Sequence, residues 1–147
     1  MDGYRFPCDP IANPAACITG PKYRFTVLND MVLRYEWAED GCFEDHASTF
    51  AIWRNFPKPS FRVEDKGDEL ELVTSELSLT YNKQEFGPNG FVVTFSAKLD
   101  TAVYGAEWRY GQSSAYKNLG GTARILDKVD GRCDMGLGIL SRRGYAV

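Results

Sequence analysis

His46 is the only imidazole in the chain, and it sits in the acidic run Glu44-Asp45-His46. A nucleophilic triad requires a base beside its nucleophile, and no serine stands in a glycine-flanked elbow that His46 could serve. Two readings of His46 stand: a solvated side chain in an acidic loop, or a contact to a metal or substrate. Glycoside hydrolysis instead needs two carboxyl groups about 5 to 10 Å apart. Among 20 acidic side chains such pairs arise by chance, so spacing singles out none. Glu69, Glu71 and the acidic turn Asp65 to Asp68 read as solvated. No catalytic residue is assigned.

Gly120-Gly121, in the stretch Lys117-Asn118-Leu119-Gly120-Gly121-Thr122, has neither Walker spacing nor the spacing of a dinucleotide fingerprint. Glycines there suit positive φ in a tight loop that approaches another surface closely. Trp37, Trp53 and Trp108 carry flat apolar faces of the kind that stack on sugar rings or anchor a core. Trp37 and Trp53 fall in expected strands and read first as core residues, whereas Trp108 enters a glycine-rich region and both uses stay open. Cys8, Cys17, Cys42 and Cys133 have no CxxC spacing, so neither a zinc site nor any other cofactor is expected. Cys8 and Cys17 read as free thiols or, in an oxidising compartment, as a bridge.

Positioning these residues falls to a chain of one-domain size, 147 residues with 44% hydrophobic side chains, enough apolar material for a core. Seventeen basic and 20 acidic residues are interspersed without a basic run, which argues against a nucleic-acid partner. No window reaches the roughly 18 apolar residues of a membrane span, and the start MDGYRFPCDP lacks a signal-peptide pattern, so the default expectation is a cytoplasmic protein, with secretion left open.

Residues 1–21 hold Pro7, Pro10, Pro14 and Pro21 and predict an extended arm, because proline fixes φ and removes a donor. Residues 22–147 then read as one β-domain. Tyr23, Phe25 and Val27 alternate with Arg24, Thr26 and Leu28; after the Asn29-Asp30 turn, Met31, Leu33, Tyr35 and Trp37 alternate in the same way. Further strands are expected over Thr49 to Arg54, Phe61 to Glu64, Leu70 to Leu72, Leu77 to Tyr81 and Phe91 to Phe95. No amphipathic helix of three turns is present. The class is all-β, an antiparallel β-sandwich with little or no long helix. From Ala102 onward glycines crowd the sequence and loop is expected to outweigh sheet. The chain stops at Gly144-Tyr145-Ala146-Val147, which reads as the start of another strand and suggests a piece cut from something longer.

Three segments, in this order, carry a family resemblance: Lys22 to Leu28 leading to Leu33-Arg34-Tyr35-Glu36-Trp37; Phe43-Glu44-Asp45 with Asn55-Phe56-Pro57; and Asn118 to Asp127. The third is continued by Asp130-Gly131 and by Leu140-Ser141-Arg142. Together they resemble the amino-terminal domain of glycoside hydrolase family 31 α-glucosidases. The resemblance implies a galactose-mutarotase-like sandwich packed on a catalytic (β/α)₈ barrel, whose two aspartates perform retaining hydrolysis of terminal α-glucosidic bonds. Neither aspartate has a counterpart here; Asp134-Met135 echoes two letters of the nucleophile motif, but Arg132 and Gly136 flank it wrongly.

In that family the sandwich lends a loop to the pocket rim, and by position this is Asn118 to Asp127. The resemblance then implies that Arg124 and Asp127 bond sugar hydroxyls, that Asn118 orients the loop, and that Gly120 and Gly121 allow close approach, with Trp108 as a further substrate-facing side chain. An equally open alternative pairs Arg124 with Asp127 or with the barrel surface. His46 stands where the family pattern has arginine. The expected partners are the barrel and, through it, an α-glucoside; the isolated domain is expected to self-associate. The rival reading is a free-standing carbohydrate-binding module, with Trp108 or Trp53 stacking on glucose units.

Overall fold

The computed structural model describes residues 7–96, 107–112, 118–121, 130–140 and 145–147. Two antiparallel sheets face each other. The first has β1 (Cys17–Thr19), β2 (Tyr23–Asn29) and β3 (Val32–Trp37) in that order, and the second is a meander of β4 (Arg62–Asp65), β5 (Leu70–Val73), β6 (Leu77–Tyr81), β7 (Phe91–Phe95) and β8 (Glu107–Arg109). Among the described residues the only helical element is a 3₁₀ turn at Pro14–Ala16, opened by Asn13, whose side chain accepts the Ala15 amide.

Alternation decides which faces meet. Register sets Tyr23 against Trp37, Phe25 against Tyr35 and Val27 against Leu33, so the inner face of the first sheet is aromatic and aliphatic throughout. On the second sheet Leu70 pairs with Tyr81, Leu72 with Leu79, Leu79 with Val93 and Val93 with Trp108, which puts the apolar side chains of four strands on one face. The two faces merge into a single buried cluster. Phe25 and Tyr81 cross between the sheets edge to face at 5.1 Å, and each buried ring of this kind contributes roughly 1.5–3 kcal/mol. Phe86, from the β6–β7 connection, closes one end against Phe25, Tyr35, Trp37 and Phe91.

Turn chemistry fixes the registers. Gly67 has φ +87° in the β4–β5 turn, and its amide donates to Asp65. Thr74 Oγ1 accepts from the Leu77 amide and donates to the Asp30 carbonyl at 2.7 Å, tying the β5–β6 turn to the β2–β3 hairpin of the other sheet.

One expectation is corrected. Thr49 to Arg54 is not a strand: it makes only the isolated bridges Ser48–Ala51 and Asp9–Trp53, and Phe50 is 96% exposed. Among the described residues no sheet edge borders this segment along its length; it lies instead over the outer face of the first sheet, where Arg54 is buried. The end of the proline-rich arm is extended and joins the first sheet, where Cys17 to Thr19 pair with Thr26 to Arg24 as β1. The glycine-rich last third also contributes β8, whose Val93–Trp108 register extends the core. The four cysteines are free thiols.

Candidate functional site

The loop singled out by sequence is held by a crossing of two backbones. Asn118 Oδ1 accepts from the Gly120 amide at 2.8 Å and from the Gly138 amide at 2.9 Å, while its Nδ2 donates to the Gly138 carbonyl at 2.7 Å. The Leu119 amide donates to Leu140 O and the Gly121 amide to Gly136 O, each at 3.0 Å. Residues 118–121 are thus zipped to residues 136–140. A Cβ at Gly121 would lie 2.3 Å from the Met135 carbonyl oxygen, and one at Gly138 would lie 2.0 Å from that of Gly120. These glycines therefore permit main chain to pass main chain.

Asp134, the decoy carboxylate of the sequence, accepts the Gly136 amide and shapes the same turn. Around the crossing, Leu119, Leu137, Ile139 and Leu140 are all exposed, Leu137 by 64%. Arg124 and Asp127, expected beside this loop, lie outside the described residues. Trp108 lies elsewhere: it is 5% exposed, its ring meets Tyr35, Phe91 and Tyr110, and its Nε1 donates to Gln112 O. Sequence reasoning found Asn118 and the first glycine pair but missed their partners, although the Gly136-x-Gly138 spacing was a signal that a second chain segment also needed room.

The outer face of the first sheet carries a layer of paired charge. Arg24 binds Glu36 through Nε at 2.7 Å and Nη2 at 3.1 Å, and binds Asp45 through Nη2 at 2.7 Å and Nη1 at 3.1 Å. Arg34 donates to Glu36 at 2.6 Å and to the Glu44 carbonyl at 2.7 Å. Arg54 donates to the carbonyls of His46 and Pro10. The guanidinium of Arg24 also lies over the Phe43 ring.

These contacts clamp the 43–54 segment and the amino-terminal arm onto β2 and β3. The Arg24 hydrogen bond holds the Asp45 carboxyl below the usual aspartate range, outweighing partial desolvation. Burial lowers the Arg34 guanidinium from its ordinary value. Two nitrogens of the layer, Arg34 Nη1 and Arg54 Nε, are buried without a hydrogen-bond partner among the described residues. His46 itself projects into solvent beside Glu44.

An apolar cleft of about 280 Å³ opens between the sheets, lined by Leu33, Tyr35, Phe95, Trp108 and Val147 among others. Its walls offer shape but no acid–base pair. Among the described residues no group of three His, Cys, Asp or Glu side chains is placed to hold a metal, and no helix is long and apolar enough to cross a membrane. No protein-family model matches the chain, and no curated protein matches it significantly.

Proposed function

We propose that this chain is the non-catalytic amino-terminal domain of a retaining α-glucosidase of glycoside hydrolase family 31, a galactose-mutarotase-like sandwich that packs on the catalytic barrel and lends the Asn118 to Asp127 loop to the rim of the sugar pocket. The observation that carries this reading is the glycine crossing. The Asn118 side chain and two backbone hydrogen bonds hold residues 118–121 to residues 136–140, and the two segments together present four aliphatic side chains to the outside. Rigid exposed aliphatic surface is what a docking face requires, because little conformational entropy remains to be lost on contact. The ordered segment resemblance and the two-sheet architecture support it further.

On this reading the chain's chemical contribution is positional. The barrel supplies the nucleophile and the acid/base, while Asn118, through the loop it braces, sets where polar groups of the rim meet the leaving-group sugar. Co-expression with a family 31 barrel that lacks its own sandwich tests this. A complex that co-elutes in gel filtration and cleaves a terminal α-glucoside is the expected result. Failure to form any complex, or cleavage by this chain alone, defeats it.

The carbohydrate-module reading draws on Trp53, which is 52% exposed beside the Asp9–Asn55 hydrogen bond and so has an accessible ring with polar neighbours. Titration with maltose and longer α-glucans up to millimolar concentration decides it: a saturable fluorescence change abolished by Trp53→Ala favours the module, and a flat response removes it.

A further inference from the structure

β4 is the outermost strand of the second sheet, and all four of its residues are exposed. Among the described residues no strand borders its free side. The Lys66 amide donates to Glu69 O, and the register continues as Glu64 opposite Glu71 and Arg62 opposite Val73. In an antiparallel ladder the hydrogen-bonded pairs recur every second residue, so Arg62, Glu64 and Lys66 direct their backbone groups toward β5. Phe61, Val63 and Asp65 direct theirs outward, where they form an open template for another strand.

We infer that β4 pairs antiparallel with β4 of a second copy of this chain, in the register that sets Val63 opposite Val63 of the second copy. Two-fold pairing through the outward groups allows five nearby registers, and proline and facing charges select among them. Pairing Phe61 with Phe61 sets Pro59, which has no amide hydrogen to donate, at a bonding position opposite Val63. Pairing Phe61 with Val63 places Arg62 against Arg62. Pairing Val63 with Asp65 places Glu64 against Glu64 and Arg62 against Lys66. Pairing Asp65 with Asp65 opposes two carboxylates directly.

Only the Val63–Val63 register avoids both the proline and every like-charge pair, and it places Arg62 against Glu64 twice across the dyad. These two residues suit the purpose. Neither Arg62 nor Glu64 makes a salt bridge among the described residues, while Glu71, which faces Glu64 within the sheet, is already paired with Lys66 at 2.8 Å, so both side chains remain available to a second copy. Pro57 and Pro59 stop the pairing just before this segment, which keeps it short. Because the dyad consumes the β4 edge of both copies, the association ends at a dimer.

Sedimentation equilibrium of the 147-residue chain between about 5 and 200 µM is the test, with Arg62→Glu, Glu64→Arg and the double exchange measured alongside. The unmodified chain is expected to dimerise reversibly. Each single reversal is expected to weaken the dimer roughly tenfold or more, since it turns two attractive contacts into two repulsive ones, and the double exchange to restore it. All three variants change exposed side chains, and circular dichroism verifies that each is folded. A monomer at every concentration leaves this edge for a foreign strand or for none and overturns the inference. So does a dimer indifferent to the single reversals, or one the double exchange fails to restore.

Discussion

Asp45 shows how one exposed carboxylate can organise a long segment. Its side chain is 41% exposed, yet it receives two nitrogens of Arg24, with Arg34 and Arg54 contributing attraction and Glu36 competing for the same guanidinium. Because its folded pKa lies below the unfolded value of about 3.9, its stabilisation is complete above that value and is lost as pH falls through the folded one. Asp45→Asn is therefore expected to lower the denaturant midpoint at pH 7 and to remove part of the acid sensitivity below about pH 4; equal slopes for variant and parent between pH 5 and pH 2.5 would contradict it. Arg24→Ala is harsher, since it leaves Glu36, a largely buried acid, with Arg34 alone and takes both guanidinium hydrogen bonds from Asp45. A loss of about 2–3 kcal/mol is expected, under the range for fully buried pairs because water screens Asp45. Equilibrium urea unfolding reads it directly.

At the scale of elements, the crossing of residues 118–121 and 136–140 is a place where glycine is structurally required. Gly138→Ala brings a methyl group into the Gly120 carbonyl, a backbone atom that cannot swing aside, so the zipper must open. Asn118→Ala removes three hydrogen bonds that close it, at a cost of about 1–2 kcal/mol after water replaces them. Amide exchange at Leu119 and Gly121 is expected to quicken at least roughly tenfold in both variants while β6 and β7 amides stay protected; unchanged exchange at Leu119 would refute the clamp. The sequence made some of these elements plain and hid others for a physical reason. Where one face of a strand is buried and the other wet, as with Leu77, Leu79 and Tyr81, alternation announces it. β2 defeated the same rule on its second side, because Thr26 is fully buried there with its hydroxyl 3.7 Å from Cys17 Sγ. Thr49 to Arg54 has strand-like alternation but only isolated bridges, and alternation cannot report whether a full partner strand runs alongside. The glycine pair was legible as a close approach, but the surface approached turned out to be the chain's own residues 135–138.

For the whole molecule, the distribution of apolar surface separates interior from docking face. The sandwich buries its aromatic cluster from both sheets, so Leu119, Leu137, Ile139 and Leu140 are not surplus core residues that failed to fit; they stand outside on a braced loop. If they meet the barrel of an α-glucosidase, replacing Leu137 and Ile139 with aspartate places two charges in a desolvated contact. The complex should then weaken about a hundredfold, while the domain's own thermal midpoint stays nearly constant because neither side chain is buried in the isolated fold. Phe50→Asp supplies the comparison. Phe50 is the most exposed large apolar side chain described, but it projects from the segment over the outer face of the first sheet, remote in sequence from the glycine crossing. Surface calorimetry or biolayer measurements of barrel binding should separate the two variants: loss with the leucine-loop pair and retention with Phe50→Asp places the interface at the crossing. The reverse pattern would move it to the charged face, and would turn the Arg24, Glu36 and Asp45 layer from a clamp on one domain into part of the seam between two.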